Sequence, residues 1–330
     1  AALLCALYLY RPASAQARLF IWRTSAGLFA EAPLSGHGIG SFQWEYMPRQ
    51  ARYFEAHPSA PEQMVADNTG YPYNEALHAA AETGAAGLVL ACAVFIVAWR
   101  KSADGNPRAV ALPAIAAWLL FAQFSYPADV FPLLLAAACL LGCLDTPPAA
   151  SLPHGKMPAA ALLFLWGIAG LGCFRLGHFY HRASSCLSSL HGRPNAPALH
   201  FAEKHYERLK NNVTFNATYL FRLARHSDNP TDRDILRDII PTAESYCLLG
   251  DYFRRTGLPQ EAESAYETAR HMVPTRMMPA YKLWRLPRAL QDTARAVDMA
   301  RRMATQPVKV NNAFTINARR KANEFLRQSP

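Results

Sequence analysis

Residues Ala76–Trp99 read ALHAAAETGAAGLVLACAVFIVAW and close on Arg100 and Lys101, with His78 and Glu82 as the only strongly polar groups, both near the start. A run of about 20 apolar residues is what a helix needs to cross the hydrocarbon core of a bilayer. The stretch therefore predicts a membrane span over residues 76–99. Outward from it, the apolar region from Ala109 to Leu144 exceeds one crossing. The polar break Ser125-Tyr126-Pro127-Ala128-Asp129 divides it into segments 109–124 and 128–144, read as a re-entering pair. A last span is expected over 157–176, after a Pro-containing linker at 145–158.

The composition agrees with two solvents for one chain. Of 330 residues 51% are hydrophobic and 18% charged, with a net charge of +10. Charges are sparse up to about residue 180 and dense beyond it. The expected fold is all-α: a polytopic transmembrane bundle over 1–180 with a large loop at 14–75, then a helical repeat domain over 181–330. Ala1–Tyr10 is apolar, too short to cross, and lacks a charged leader and a cleavage pattern, so it reads as the end of a helix that begins upstream. The basic residues are dispersed and partly flank membrane segments, which argues against nucleic acid as a partner. Seven cysteines form no CxxC pair and no metal-ligand spacing, and read as packing residues.

Arg100, Lys101 and Arg108 occupy a short loop, which the positive-inside bias places in the cytoplasm. Counting crossings from there puts residues 14–75 and everything after about 178 on the opposite side. In the C-terminal region Tyr246-x-x-Leu249-Gly250-x-x-Phe253, Gly257, Ala262-x-x-x-Tyr266, Ala269 and Pro274 follow the tetratricopeptide pattern over 243–276. Gly257 suits the turn that ends the first helix and Pro259 the opening of the second. A degraded copy is expected over Met277–Val310, with further helices at 198–240.

The loop is dense in motifs. It carries Arg18-x-x-x-Trp22, then Pro33-Leu34-x-Gly36-x-Gly38-x-Gly40-x-Phe42, then Tyr71-Pro72-Tyr73-Asn74-Glu75-x-Leu77, and leads into Glu82-Thr83-Gly84-x-x-Gly87-Leu88. No strand precedes the glycine run and no Lys-Ser/Thr follows, so a nucleotide loop fits poorly. A tight turn between helices at the membrane surface and a substrate-shaping role for His37, Gly38 and Gly40 both remain open. Arg18, Arg23, Arg49 and Arg52 are interleaved with Trp22, Trp44, Tyr46, Tyr53 and Phe54. Forked, permanently charged donors suit a pyrophosphate, and the aromatic rings suit the headgroup level or a sugar face. For Arg49 and Arg52, binding of anionic headgroups and binding of the substrate fit equally well.

In order and spacing, residues 10–145 resemble the polymerase/ligase domain shared by O-antigen ligases, O-antigen polymerases and pilin-type O-oligosaccharyltransferases. The resemblance implies transfer of a glycan from an undecaprenyl-pyrophosphate carrier to lipid A-core, protein or a growing glycan, at the periplasmic face of the bacterial inner membrane. It implies that Arg18, in its Arg-x-x-x-Trp setting, is a principal site residue. Such proteins often carry His-x-His-Asn ahead of the Glu-x-Gly span, with the histidine assigned to acceptor activation or transition-state stabilisation. Here the positions read Tyr71-Pro72-Tyr73-Asn74, so that a tyrosine hydroxyl substitutes, another histidine such as His57 or His78 reaches in, or the activity is related but altered.

Asn74, His78 and Glu82 recur every four positions and so share one helix face. A helix–helix hydrogen bond and a catalytic or carrier-binding role both fit them. The carboxylates show no divalent-metal spacing along the chain, so transfer without a cofactor is expected, with arginines on the pyrophosphate and a loop acid or base, Asp67 and Glu62 included, at the acceptor hydroxyl. The periplasmic repeats would offer a concave surface for a protein partner. The competing expectation is a non-enzymatic membrane scaffold whose repeats organise an envelope complex.

Overall fold

The computed structural model describes residues 11–101, 106–144, parts of 168–183, 196–289 and 292–328, and every regular element among them is helical. The apolar stub 1–10, the linker at 145–158 and most of the expected span 157–176 lie outside the described residues.

The loop expected over 14–75 is itself built of helices. Helix α1 (Pro12–Glu31) opens on a proline whose fixed φ suits a first helical position. It buries Phe20, Ile21, Thr24, Ser25 and Leu28. Helix α2 (Phe42–Ala56) buries Phe42, Tyr46, Met47, Gln50, Ala51 and Phe54, a stripe at helical spacing that packs on α1.

Helix α3 (Glu75–Lys101) contains the stretch that decided the fold, but it is two half-helices joined across Gly84, whose φ of 65° and ψ of −164° are not helical. Such a break strands carbonyls at the end of the first half and amides at the start of the second. The glycine run supplies the partners. His37 and Gly38 donate their N–H groups to the carbonyls of Ala81 and Glu82 at 3.0 and 2.8 Å. The amides of Ala85 and Ala86 donate to the carbonyls of Pro33 and Leu34 at 2.8 and 3.1 Å. Gly36 and Gly84 make this approach possible, because a Cβ on either would overlap the backbone of the other segment.

Beyond the break α3 is apolar on all sides. Val89 and Leu90 are 68% and 67% exposed, and only 17% of the apolar window is buried, unlike the core helix of a globular domain. Helices α4 (Asn106–Ala122) and α5 (Phe131–Leu144) pack on each other and on α3 through Phe95, Ala111, Ile115, Leu140 and Leu141. Their outer faces expose Leu120, Phe121, Phe131 and Leu135. Among the described residues one helix, Glu75–Ile96, is long and apolar enough to cross a membrane, whereas Ala111–Ala122 and Phe131–Gly142 are shorter.

The C-terminal region continues with α6 (Ala196–Lys204), α7 (Val213–His226), α8 (Ala243–Arg255), α9 (Pro259–Met272), α10 (Met277–Ala289), α11 (Thr293–Thr305) and α12 (Ala313–Gln328). Thr242 and Ser245 cap α8 reciprocally, Gly257 takes φ of 78° in the turn, and Pro259 opens α9. Gly250 faces the Tyr266 ring so closely that a Cβ there would overlap it. Leu283, Ala296 and Met303 of the next hairpin, α10–α11, are buried, and Ala318 and Ala322 of α12 close its core.

This region is not tethered loosely to the first. Ala243, Met272 and Val273 join the core that holds Ile21, Leu28, Phe42, Tyr46, Met47 and Ala51. Gln50 Nε2 donates to the carbonyl of Met272 at 2.6 Å, Ala243 donates to Asn68 Oδ1 at 3.3 Å, and Arg276 pairs with both Glu244 and Asp67, the latter at 2.7 Å. Burial alone would raise the pKa of the Asp67 carboxyl. The hydrogen bond from Arg276, the Asn68 amide and the charges of Arg276 and Lys309 outweigh it and hold the group below the ordinary carboxylate value.

Two outcomes are expected. Gly84→Ala combines a glycine-only backbone region with a clash on the Leu34 carbonyl, so it should cost at least about 1–3 kcal/mol, whereas Gly142→Ala, with open space at Cβ, should not destabilise. Thermal unfolding of the two variants in detergent checks this, and equal midpoints would refute the role given to the break. The second concerns acid. Because its native pKa is depressed, the Asp67 carboxylate stabilises the docked arrangement fully above its unfolded value of 3.8, and this is lost as pH falls from there through the lower native value. With the carboxylate 46% exposed, Asp67→Asn should remove no more than about 1 kcal/mol at neutral pH and flatten that part of the acid-unfolding profile.

Candidate functional site

The head of α3 is held by its own capping residue. Asn74 Oδ1 accepts from the Leu77 amide at 2.9 Å, and Asn74 Nδ2 donates to the Gln123 carbonyl at 3.2 Å, which ties the start of α3 to the end of α4. Glu75 Oε1 accepts the Ala128 amide at 2.8 Å and so reaches the turn before α5. Ahead of the cap, Tyr73 takes a φ of 54°, a conformation that non-glycine residues seldom hold unless their surroundings impose it. The Trp22 indole N–H donates to the Pro72 carbonyl at 2.9 Å and fixes this strained turn to α1.

His78 and Glu82 lie on the face of α3 that turns inward. His78 Nε2 is 3.2 Å from Glu82 Oε1, and the same oxygen accepts the Phe42 amide at 3.1 Å. The Phe42 ring meets the imidazole edge-on at 5.4 Å. On its other side His78 Nδ1 stands 3.8 Å from Glu75 Oε2 and 3.7 Å from Asp129 Oδ2. Three carboxylates thus surround one imidazole.

A row of tyrosines joins this group to Arg18. The guanidinium lies over the Tyr73 ring at 5.7 Å and donates to the Phe124 carbonyl at 3.2 Å. Tyr73 meets Tyr126 at 5.8 Å, Tyr126 stacks on Tyr71 at 4.9 Å, and Tyr71 meets His78 at 6.3 Å. Burial, followed by the charge of Asp129, pushes the Tyr71 phenol above its ordinary pKa. Tyr71 therefore keeps its proton at neutral pH and can serve as a hydrogen-bond donor, not as a base. Between a cation at one end and carboxylates at the other, the partly exposed tyrosine faces are suited to a sugar ring.

Of the expected site residues, the structure brings together Arg18, Trp22, Tyr71, Tyr73, Asn74, His78 and Glu82. His37 and Gly38 reach the same place through their backbone, and the His37 ring turns back to the Leu28 carbonyl at 3.0 Å. The Gly40 amide lies against the Glu82 carboxylate. Arg23, Arg49 and Arg52 form a different group. With Thr24, Glu31 and Tyr53 they line an open cavity of about 400 Å³ between α1 and α2. There Arg49 pairs with Glu31, and Arg23 donates to Glu62 and Tyr53 at 3.0 and 2.7 Å.

His57 stacks on Tyr53 at 4.6 Å, which leaves His78 as the histidine beside Tyr71. Glu62 and Asp67 are held in ion pairs, with Arg23 and Arg276. Sequence reasoning missed Glu75, Tyr126 and Asp129 as site residues. The last two sit in the break 125–129, where the one signal was polarity inside an apolar region. Comparison with known proteins found no match to the chain among protein-family models, curated proteins or solved structures.

Proposed function

We propose that this protein transfers a glycan from an undecaprenyl-pyrophosphate carrier to an acceptor hydroxyl on lipid A-core, protein or another glycan, at the periplasmic face of the inner membrane. The observation that supports this most is the convergence of Arg18, the three tyrosines and the His78–carboxylate group at the head of an apolar helix. Positions scattered from residue 18 to residue 129 meet where a lipid carrier's headgroup would lie. A discontinuous helix at this depth is tolerated where other protein covers the freed backbone, as residues 33–38 do here.

In this reading the acceptor oxygen attacks the anomeric carbon as the bond from that carbon to the carrier diphosphate breaks. The hydroxyl proton passes to the group formed by Glu75, His78 and Asp129, and the released diphosphate takes the electron pair. Arg18 commits one donor to Phe124 and has others to offer the leaving charge. The sugar lies along Tyr73, Tyr126 and Tyr71 between the two. Tyr71 does not stand in for a histidine base. His78, seven positions further along the chain, occupies that place. The docking of the repeats on α1 and α2 favours the loop and the C-terminal region sharing one side of the membrane, which is the side where this donor is consumed.

In membranes carrying the full reading frame, Arg18→Ala should lower glycan transfer by about 100-fold, the scale for loss of one preorganised charge donor, with Arg18→Lys recovering part of it. Full activity in Arg18→Ala would refute the role given to the arginine, and absence of transfer by the unaltered protein would favour the scaffold reading instead. Single cysteines placed at the exposed positions Ser59 and Asn311 should both react with a membrane-impermeant maleimide added from the periplasmic side. Labelling of either one from the cytoplasmic side alone would overturn the proposal.

A further inference from the structure

We infer that Glu75, His78 and Asp129 form a binding site for one divalent transition-metal ion, of the Zn²⁺ or Mn²⁺ kind. Their ligand atoms all lie within 4.8 Å of one another. The two separations from His78 Nδ1, 3.8 Å to Glu75 Oε2 and 3.7 Å to Asp129 Oδ2, are too long for hydrogen bonds, which run to about 3.2 Å. They are close to the edge of a coordination shell. Metal–ligand bonds of about 2.0–2.2 Å place neighbouring donors in a tetrahedron about 3.4 Å apart. A contraction of a few tenths of an ångström would bring each carboxylate to that separation from the imidazole nitrogen.

The groups behind these donors are arranged as a metal site requires. Histidine ligands almost always present their second nitrogen to a carboxylate or carbonyl, which sets the tautomer and aims the lone pair. His78 Nε2 faces Glu82 Oε1 at 3.2 Å, so the proton belongs on Nε2 and the lone pair of Nδ1 points to Glu75 and Asp129. Glu82 is held in turn by the Phe42 amide at 3.1 Å. Glu75 is oriented in the same way. Its Oε1 is occupied by the Ala128 amide at 2.8 Å, which leaves Oε2 for the ion.

Charge and access agree with this. Glu75, Glu82 and Asp129 crowd three carboxylates around one imidazole, an arrangement that a cation relieves. The Asp129 side chain is 35% exposed and opens the site on one side, so that three protein donors leave room for water or substrate, the pattern of catalytic rather than structural sites. One imidazole with two carboxylates favours Zn²⁺ or Mn²⁺ over Mg²⁺ and Ca²⁺, which prefer all-oxygen shells. The inference departs from the expectation of transfer without a cofactor. Asp129 is 54 positions from Glu75 along the chain, so no local spacing could announce it. An ion here would hold and polarise the acceptor hydroxyl at the carboxylate end of the tyrosine row, although the binding itself does not rest on the glycan-transfer reading.

The test is a calorimetric titration of the purified, chelator-stripped full-length protein in detergent with ZnCl₂ and with MnCl₂, without donor or acceptor. One saturable equivalent per chain is expected with at least one of the two ions, together with a rise in melting temperature on its addition. Asp129→Asn, on an exposed turn where folding is spared, should weaken binding by at least about tenfold and abolish the rise, and Glu82→Gln should weaken it by about 10- to 100-fold through the imidazole. Absence of saturable binding, or equal affinity in a folded Asp129→Asn protein, would overturn the inference. Failure of glycan transfer with metal binding intact would instead count against the proposed reaction alone.

Discussion

The structure depends on an exchange of backbone hydrogen bonds between the glycine run and the break in α3. A helix interrupted in an apolar setting cannot leave its terminal carbonyls and amides to water, and each buried unpaired group costs about 1–3 kcal/mol. Residues 33–38 answer this on both sides of Gly84, donating from His37 and Gly38 and accepting at Pro33 and Leu34. Two consequences follow from one contact. The loop helices are locked to the long apolar helix, and the polar half that carries His78 and Glu82 is held at a fixed angle to the apolar half beyond it. Gly36 serves the contact by its lack of a side chain, while His37, Gly38 and Gly40 reach Ala81 and Glu82 through their backbone amides.

That arrangement explains why the polar residues of α3 are concentrated before the break. Glu82 uses its carbonyl for Gly38 and its carboxylate for Phe42 and His78, so one residue joins the turn, α2 and the imidazole. Asn74 and Glu75 do the same at the other end, toward Gln123 and Ala128. The site is therefore supported by rigid elements on three sides. Its open edge is the stretch of tyrosines and Asp129, where the rings are partly exposed and Asp129 is exposed.

How much of this was legible in the sequence depended on the distance over which the signal acted. The length of the apolar runs was enough to place α3, α4 and α5 within a few residues of their observed ends, and the spacing over 243–276 to place the turn between α8 and α9 at Gly257 and Pro259. The shared face of Asn74, His78 and Glu82 was readable for the same reason. Nothing local marked Gly84 as a break, because a glycine in an apolar helix reads as a packing residue until its partner, fifty positions earlier, is seen against it. The four arginines looked alike in the chain. The fold separated them, since Arg18 points to the tyrosines while Arg23, Arg49 and Arg52 gather around Glu31, Tyr53 and Glu62.

The same limit hid the relation between the two halves of the chain. A change in charge density near residue 180 suggested independent bodies, and the change is real, but it reports the solvent on the outer surfaces and not the contact between them. Gln50 lies on the buried stripe of α2 and gives its amide to Met272, while the core around Tyr46 and Met47 is completed by Met272 and Val273. Removing the C-terminal helices would uncover that core and leave Asp67 and Asn68 without Arg276, Glu244 and Ala243. Those two residues lie a few positions before the strained turn at Tyr73, on the chain that leads into the site. The C-terminal helices thus hold residues 67 and 68, on the same stretch of chain that goes on to present Tyr71, Tyr73 and Asn74 at the site.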